Sequence, residues 1–441
     1  MRLKATLLSA LVAAGIGGLS AGSAAATDIT MFRFFGDCAN DFGSVTDLSK
    51  ASDDCGIVQV LTNKFNAENK IGAKVITQTV DWHTYYDLLS ATYSTGNVPD
   101  VAIMHRSLLP NFALRGLIDP IGDDLQKAGV DYSDFVPEAQ KAVTIEGKVY
   151  ALPFDIHSIL LHVNMDLMQK AGLTTPSGDP VLPNSPEELL AQGKKLKDAT
   201  GKVYFGLESD AAGAMPVRLF ESLLWQQGQD IVETGSKTAG IDTAAGLKAA
   251  DLLQQIYAQG LSNKAFDYAG AEQAFLNGEV AILVNGTWGV DKYTAQVKAG
   301  TSALHNYRVA NLAKLLGKDA VWSDSHTWTM PTNPNRSPEA KAAAVAFLKF
   351  LNDNDLAWAR TGHLPVRRSV IDSDAFKQLP HRSEYAETAS IARALPPIQN
   401  QRGIQDVMVS GLSAIWLTDA DPKAALADMQ SRVERVLKRS H

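Results

Sequence analysis

Cysteine is nearly absent from this chain, and so are several short motifs that mark common enzymes. Only Cys38 and Cys55 occur among the 441 residues, so a C-x-x-C redox or zinc motif is excluded. The chain also lacks a G-x-x-x-x-G-K-[ST] phosphate-binding loop and an H-E-x-x-H zinc pair. It is therefore not a P-loop ATPase subunit. We expect no catalytic residue, no cofactor and no metal ion.

An excess of positive charge is also lacking, and long apolar runs are confined to the N-terminus. The formal net charge of -7 argues against nucleic acid or an anionic membrane as the main partner. Arg2 and Lys4 precede an apolar stretch over residues 5–19, and small residues follow at 23–26. This pattern predicts a cleaved secretory signal peptide over residues 1–26, with a single membrane anchor as the alternative. No cysteine stands directly after the predicted cleavage site, so a lipid anchor is not indicated.

The two cysteines lie in a loop rich in Asp, Ser and Gly, in a chain predicted to be secreted. An oxidising compartment favours a Cys38–Cys55 disulfide over two free thiols. On the chain-entropy model, closing a loop of this size stabilises the fold by roughly 3 kcal/mol.

Predicted strands and helices alternate along the chain, which is 45% hydrophobic and 20% charged and long enough for two cores. We predict strands at 28–35, 73–80, 99–104, 203–207 and 280–284, and helices at 57–69, 85–93, 217–227, 247–259 and 338–351. A further helix starts at 185–188, and two more lie near the C-terminus. Such alternation indicates α/β sheets that are mainly parallel. Ligands of these sheets gather at the carboxyl ends of the strands.

The segment from Gly147 to Leu173 combines an apolar run with polar residues, among them Asp155, His157 and His162. Pro153 favours an extended chain before it, and the run is typical of a buried strand. Asn164 or Asp166 would then cap a helix that runs to Gly172.

Five segments, in order, resemble motifs of the extracellular solute-binding proteins that serve carbohydrate ABC transporters. They are 65–69 (FNAEN), 97–101 (NVPDV), 116–120 (GLIDP), 147–153 (GKVYALP) and 275–288 (FLNGEVAILVNGTW). The resemblance implies a periplasmic binding protein fold, type II-like, with two α/β lobes joined by a hinge of crossing strands. It would place residues 27–152 and 326–360 in the N-terminal lobe, and 153–325 and 361–441 in the C-terminal lobe. The Gly36–Gly56 insertion departs from the pattern.

The resemblance also implies a function: a monomeric periplasmic protein that captures a sugar by hinge closure and delivers it to permease subunits in the inner membrane. A secreted carbohydrate-active enzyme is the alternative, because Asp and Glu are numerous enough to supply a catalytic carboxylate pair. A binding protein for a polyol phosphate or a polyamine also stays open. A polyamine pocket should present several carboxylates, whereas the candidates here are mostly His, Arg and Trp.

Candidate ligand contacts lie at predicted strand ends and crossovers, where aromatic faces and planar polar groups suit sugars. The alternatives are surface packing on the next helix for Trp82, a structural hinge hydrogen bond for Asp155 and His157, and core packing for Trp288. At His105, many members of the family have an acceptor, so this departure would suit an acidic or sulfonated sugar. Trp225 is expected in the core, and only one of Arg367 and Arg368 should face ligand. The candidates are Asp37, Asp81, Trp82, His105, Arg106, Asp155, His157, Asn285, Thr287, Trp288, His326, Trp328 and Arg367.

Overall fold

The computed structural model of the protein describes residues 27–209, 213–233 and 235–439. The predicted signal peptide, residues 1–26, lies outside the described residues. Among the helices of the described ranges, none is both long enough and apolar enough to cross a membrane.

Thirteen strands are present in the described residues and carry most of the topology. They are β1 (Thr27–Arg33), β2 (Ala73–Thr79), β3 (Val101–His105), β4 (Thr144–Ile145), β5 (Lys148–Val149), β6 (Ala151–Pro153), β7 (His157–Asn164), β8 (Val203–Gly206), β9 (Val280–Gly286), β10 (Tyr307–Asn311), β11 (Val321–Asp324), β12 (His326–Thr329) and β13 (Ala392–Ala394).

Helices cover the sheets. Within the described ranges they are α1 (Ala39–Phe42), α2 (Asp54–Glu68), α3 (Tyr85–Thr95), α4 (Leu109–Ala113), α5 (Gly122–Lys127), α6 (Pro137–Ala142), α7 (Met165–Lys170), α8 (Pro186–Thr200), α9 (Met215–Gln226), α10 (Ala244–Ala258), α11 (Tyr268–Leu276), α12 (Val290–Ala299), α13 (Pro338–Asp353), α14 (Asp355–Ala359), α15 (Arg368–Ile371), α16 (Asp374–Lys377), α17 (Thr388–Ile391), α18 (Gln401–Leu417) and α19 (Pro422–Arg439), with short 3-10 turns between some of them.

Two sheets form the centres of two α/β lobes. The first sheet has the order β2-β1-β3-β12-β6, in which only β12 runs antiparallel to its neighbours. The second has the order β13-β11-β7-β9-β8, with β10 also paired to β7, and here β7 is the antiparallel strand. The predicted α/β class with mainly parallel sheets is confirmed. We call the part built on the first sheet the first lobe and the part built on the second sheet the second lobe.

Three connecting segments join the lobes. The chain leaves the first sheet after Pro153 and enters the second at His157, and it returns between β11 and β12 across the single residue Ser325. The third segment follows α14: Leu364 packs in a core of the second lobe, whereas Val366 packs in the core of the first. Ile156 in the first segment also bridges Leu364 in the third, so these segments lie side by side.

The Gly147–Leu173 segment contains the predicted buried strand: this is β7, and every residue of it is buried. The Asn164 side chain caps the following helix by accepting from Asp166 N and Leu167 N at 3.1 and 3.2 Å. That helix, α7, ends at Lys170 rather than at Gly172. Gly172 instead adopts φ 62° in the turn beyond, a conformation that glycine favours.

The other local predictions have two clear outcomes. Cys38 and Cys55 form the predicted disulfide, with an S–S distance of 2.06 Å and Cα atoms 6.0 Å apart. Trp225 lies in the core of the second lobe as expected.

Candidate functional site

A cavity of about 840 Å³ lies between the lobes, a volume ordinary for small-molecule sites. In the first lobe, its lining follows the ends of β1, β2 and β3, the carboxyl edge where α/β sheets bind ligands. In the second lobe, the lining comes from α9, α11, α18 and the turn after β9.

Seven of the predicted contact residues line this cavity: Asp37, Asp81, Trp82, His105, His157, Trp288 and His326. They come from both lobes, and residues far apart in sequence converge here. The structure thus brings candidates at the ends of β1, β2 and β3 together with Trp288 of the turn after β9.

Three other candidates point elsewhere. Trp328 is fully buried in the core of the first lobe. The Arg367 guanidinium pairs with Asp134 (Nε–Oδ2, 2.8 Å) and donates to a backbone carbonyl of α13. Arg106 donates to the backbone carbonyl of Leu395. Their side chains are committed to packing or to internal hydrogen bonds, so we do not retain them as ligand contacts.

The remaining three candidates form a layer behind the cavity wall. Thr287 and Asp155 are fully buried, and Asn285 is 1% exposed. Asn285 accepts from the Tyr268 hydroxyl at 3.0 Å and donates to Tyr293 at 2.7 Å. Asn285 thus positions Tyr268, which lines the cavity, whereas Asp155, Asn285 and Thr287 are not themselves part of the lining.

Trp288 is held against the cavity wall by its neighbours in the second lobe. Its Nε1 donates to the Tyr268 hydroxyl at 2.7 Å, and the Arg218 guanidinium lies 5.5 Å from its ring centroid. Gly286 leaves room for the indole, because a Cβ there would lie 2.1 Å from the ring. The G-T-W sequence thus places an indole with a fixed orientation on the cavity.

Trp82 occupies the first-lobe side of the cavity. Its ring packs near His105, with centroids 5.5 Å apart, and near Phe34 at 6.5 Å. Arg402 of the second lobe lies 5.4 Å from the Trp82 ring centroid. An aromatic ring and a cation from opposite lobes therefore meet across the cavity.

A buried cluster beneath the cavity is centred on Asp155. Its Oδ2 accepts from His326 Nδ1 and Trp358 Nε1, both at 2.7 Å. Its Oδ1 accepts from His157 Nδ1 at 3.1 Å and from the backbone N–H of His326 at 2.9 Å. His363 Nε2 lies 3.8 Å from Asp155 Oδ2. The cluster draws on all three connecting segments.

The electrostatics of the cluster follow from burial and mutual proximity. Burial alone would raise the pKa of Asp155, but the neighbouring His326 and His363 rings and the donated hydrogen bonds bring it well below its usual range. Burial lowers the pKa of His157 and, together with the nearby imidazoles, that of His105. Burial likewise lowers the pKa of His363. These three rings are therefore neutral near pH 7, beside an ionised Asp155.

Several cavity residues were missed by the sequence analysis. Arg218 and Tyr268 lie on helices whose periodicity gives no sign of the interlobe face. His363 lies just after the predicted lobe boundary at residues 360–361, and a histidine at such a connection was the available signal. The missed lining residues include Phe34, Phe35, Asp54, His83, Glu208, Met215, Arg218, Tyr268, His363, Arg402, Gln405 and Asp406.

Two α/β lobes, three connecting segments and an intervening cavity define a two-lobed ligand-binding protein. The chain belongs to the bacterial extracellular solute-binding protein family, whose model matches residues 61–384. A binding protein of Brucella abortus (strain 2308) is 24% identical over 383 residues, or 85% of this chain and 88% of its own. The sn-glycerol-3-phosphate-binding periplasmic protein UgpB of Escherichia coli (strain K12) is 23% identical over 410 residues, covering 87% of this chain and 89% of its own.

Solved structures show the same fold. Maltose-bound MalE3 of T. maritima superposes with a TM-score of 0.78 at 22% identity, over 93% of this chain and 100% of that one. The GacH receptor of Streptomyces glaucescens, solved unliganded and with acarbose, has a TM-score of 0.78 at 20% identity, over 94% and 100%. UgpB of Mycobacterium tuberculosis with glycerophosphocholine gives 0.75 at 21% identity, over 94% and 99%. The predicted periplasmic binding protein fold is confirmed.

Proposed function

We propose that this protein is the periplasmic substrate-binding component of an ABC importer and that it captures a sugar or sugar derivative. The family and the named relatives are binding proteins, and two of the solved neighbours hold maltose or acarbose. The signal-like pattern of residues 1–26 agrees with export to the periplasm. Delivery to permease subunits and a monomeric state are part of the proposal.

The observation that carries the proposal is the placement of two tryptophans on one cavity from opposite lobes. Trp82 follows β2 of the first lobe, and Trp288 lies in the turn after β9 of the second. Indole faces cover the C–H patches of a sugar ring, while polar groups of the same lining, such as Asp37 and Asp81, can accept from its hydroxyls. The cavity offers both kinds of contact.

Binding would proceed by closure of the lobes about the connecting segments. Among the described residues, we assign 27–152 and 326–360 to one lobe and 153–325 and 361–439 to the other, with two exceptions: Pro153 belongs to the first sheet, and Val366 packs in the first-lobe core. A ligand that touches both Trp82 and Trp288 makes its full set of contacts only when the lobes are closed, so it shifts the population towards that form. No covalent step is required.

The test is ligand binding by the mature chain, followed by thermal unfolding and calorimetry. Neutral, phosphorylated and sulfonated mono- and oligosaccharides form one arm; sn-glycerol-3-phosphate, glycerophosphocholine and spermidine form the other. We expect a sugar to raise the melting temperature and to be recovered unchanged. Leu88→Ala, an exposed helix position outside the cavity, should bind as the wild type does. Turnover of the sugar, or binding only in the second arm, would contradict the proposal.

A further inference from the structure

The buried cluster beneath the cavity has the composition of a metal site. Asp155, His157, His326 and His363 are all buried, and each offers one ligand atom within 4.8 Å of the others. We propose that these four side chains bind one divalent transition-metal ion, of which Zn²⁺ is the representative, at the junction of the lobes. This inference is separate from sugar binding and does not depend on it.

The hydrogen bonding of His363 leaves one of its ring nitrogens without a partner. The Thr361 hydroxyl donates its only proton to the Trp358 carbonyl at 2.7 Å, so its oxygen accepts from His363 Nδ1 at 2.6 Å. In a neutral imidazole with a proton on Nδ1, Nε2 carries a lone pair. This Nε2 is buried with no hydrogen-bond partner.

The unpartnered lone pair lies 3.8 Å from a carboxylate. His363 Nε2 and Asp155 Oδ2 are both acceptors, and a buried acceptor without a donor is costly. A cation placed between the two atoms would satisfy both. The distance is too long for a direct hydrogen bond and long enough for an ion to bridge.

The donor set and its spacing suit tetrahedral zinc. Zinc binds imidazole nitrogen and carboxylate oxygen at about 2.0–2.2 Å, so two donors of a tetrahedral site lie about 3.4 Å apart. The distances from Asp155 oxygens to His326 Nδ1, His157 Nδ1 and His363 Nε2 are 2.7, 3.1 and 3.8 Å. These values lie on both sides of the tetrahedral spacing, so shifts of less than about 1 Å would complete the site.

Binding of the ion requires no loss of protons from the histidine rings. The rings of His157 and His326 each carry a proton on Nδ1, donated to Asp155. When the ion takes Nδ1, that proton moves to Nε2 of the same ring. Both rings line the cavity, so the relocated protons are on rings that contact it. The cavity is also the route by which the ion reaches the site.

Other contacts would remain in place and orient the ligands. Trp358 Nε1 donates to Asp155 Oδ2, and the backbone N–H of His326 donates to Asp155 Oδ1. The Thr361 hydroxyl oxygen accepts from His363 Nδ1, the ring nitrogen that does not bind the ion. Partners of this kind fix the orientation of metal-binding rings and carboxylates, and losing one typically weakens metal binding about 10–100-fold.

The experiment uses the mature chain purified without a polyhistidine tag and treated with a chelator. Calorimetric titration with ZnSO₄ should show one ion per chain, Co²⁺ should produce the intense visible bands of tetrahedral coordination, and Zn²⁺ should raise the melting temperature. His363→Gln should weaken Zn²⁺ binding at least about 100-fold. The matched control is His83→Gln, an exposed histidine at the same cavity that is paired with Asp81; it should bind Zn²⁺ unchanged.

A second variant keeps the proposal falsifiable if His363→Gln does not fold. Thr361→Val preserves the side-chain shape and all four ligands but removes the acceptor for His363 Nδ1, so Zn²⁺ binding should weaken about 10-fold. Absence of one-to-one Zn²⁺ binding by the wild type overturns the proposal. So does equal Zn²⁺ affinity in the wild type and in the folded variants.

Discussion

His326 Nδ1 lies 2.7 Å from Asp155 Oδ2, although 171 residues separate the two in sequence. The contact ties the second connecting segment to the first. Trp358 adds a donor to the same oxygen from the helix before the third segment. One carboxylate therefore holds together the region about which the lobes are proposed to move.

Replacing Asp155 should destabilise the fold strongly. In Asp155→Asn, an amide nitrogen takes the place of a carboxylate oxygen and faces buried donors such as His326 Nδ1 and Trp358 Nε1. A buried donor left without its acceptor costs about 1–3 kcal/mol. The measurement is the unfolding free energy in urea, on chelator-treated protein. Asp198→Asn, whose side chain is 62% exposed and paired with Lys194, should stay within about 0.5 kcal/mol of the wild type. A similarly small change for Asp155→Asn would refute the central role of this carboxylate.

Replacing Trp288 should weaken sugar binding at least about tenfold, equivalent to about 1.4 kcal/mol, because the indole supplies a cavity wall. Trp288→Phe keeps an aromatic face but loses the hydrogen bond to Tyr268, so its affinity should lie between those of the wild type and Trp288→Ala. Calorimetry with the sugar found in the ligand screen measures both. Unchanged melting temperatures without ligand would show that the fold persists, and an unchanged dissociation constant for Trp288→Ala would remove this residue from the site.

His162 should make stability fall in acid. It is fully buried between Tyr307 and the Gly286 carbonyl, and burial lowers its pKa to about 3, against a partial rise from the Gly286 hydrogen bond. Between pH about 6.5 and 3 the unfolded chain binds a proton that the native chain does not. The unfolding free energy therefore drops as pH falls through this window, by up to about 1.4 kcal/mol per pH unit.

His162→Gln tests this assignment because it removes the titrating group and keeps a polar side chain. The quantity to compare is the slope of unfolding free energy against pH between 6.5 and 4.5, rather than the absolute stability. The slope of the variant should be shallower than that of the wild type by about 1.4 kcal/mol per pH unit, the value for one bound proton. Parallel slopes would assign the acid sensitivity to other groups.

Loss of the Cys38–Cys55 disulfide should lower the unfolding free energy by about 3 kcal/mol, because the open loop regains entropy in the unfolded chain. The comparison is between the wild type and the Cys38→Ser/Cys55→Ser variant in urea. Dithiothreitol should reproduce the loss in the wild type and leave the double variant unaffected. A loss below about 1 kcal/mol would mean that the bridge constrains the unfolded chain little.

The sequence predicted most of the fold because the signals for it are local. The apolar run of β7, the Asn164 cap and the Pro186 helix start each depend on residues within a few positions of one another. The cysteine pair likewise required only the redox compartment and a short separation. These features appear where they were expected, within one to a few residues at the ends.

Local sequence signals did not determine which of the candidate side chains line the cavity. Arg367 and Trp328 are residue types that suit sugar binding. In the structure, however, Arg367 pairs with Asp134, and Trp328 packs in the core of the first lobe. Arg218 has no local signal, and both Arg218 and His363 reach the cavity only because distant segments pack together.

The sequence by itself determined the α/β class, the disulfide and the resemblance to solute-binding proteins, because periodicity, turn residues and short motifs are properties of neighbouring residues. Only the tertiary structure decided that Asp155 lies beneath the cavity and joins His157, His326 and His363. Their proximity depends on how three segments pack side by side at the junction of the lobes. Burial and hydrogen-bond partners are set by such long-range packing, and they decide whether a polar residue binds ligand, supports the hinge or holds an ion.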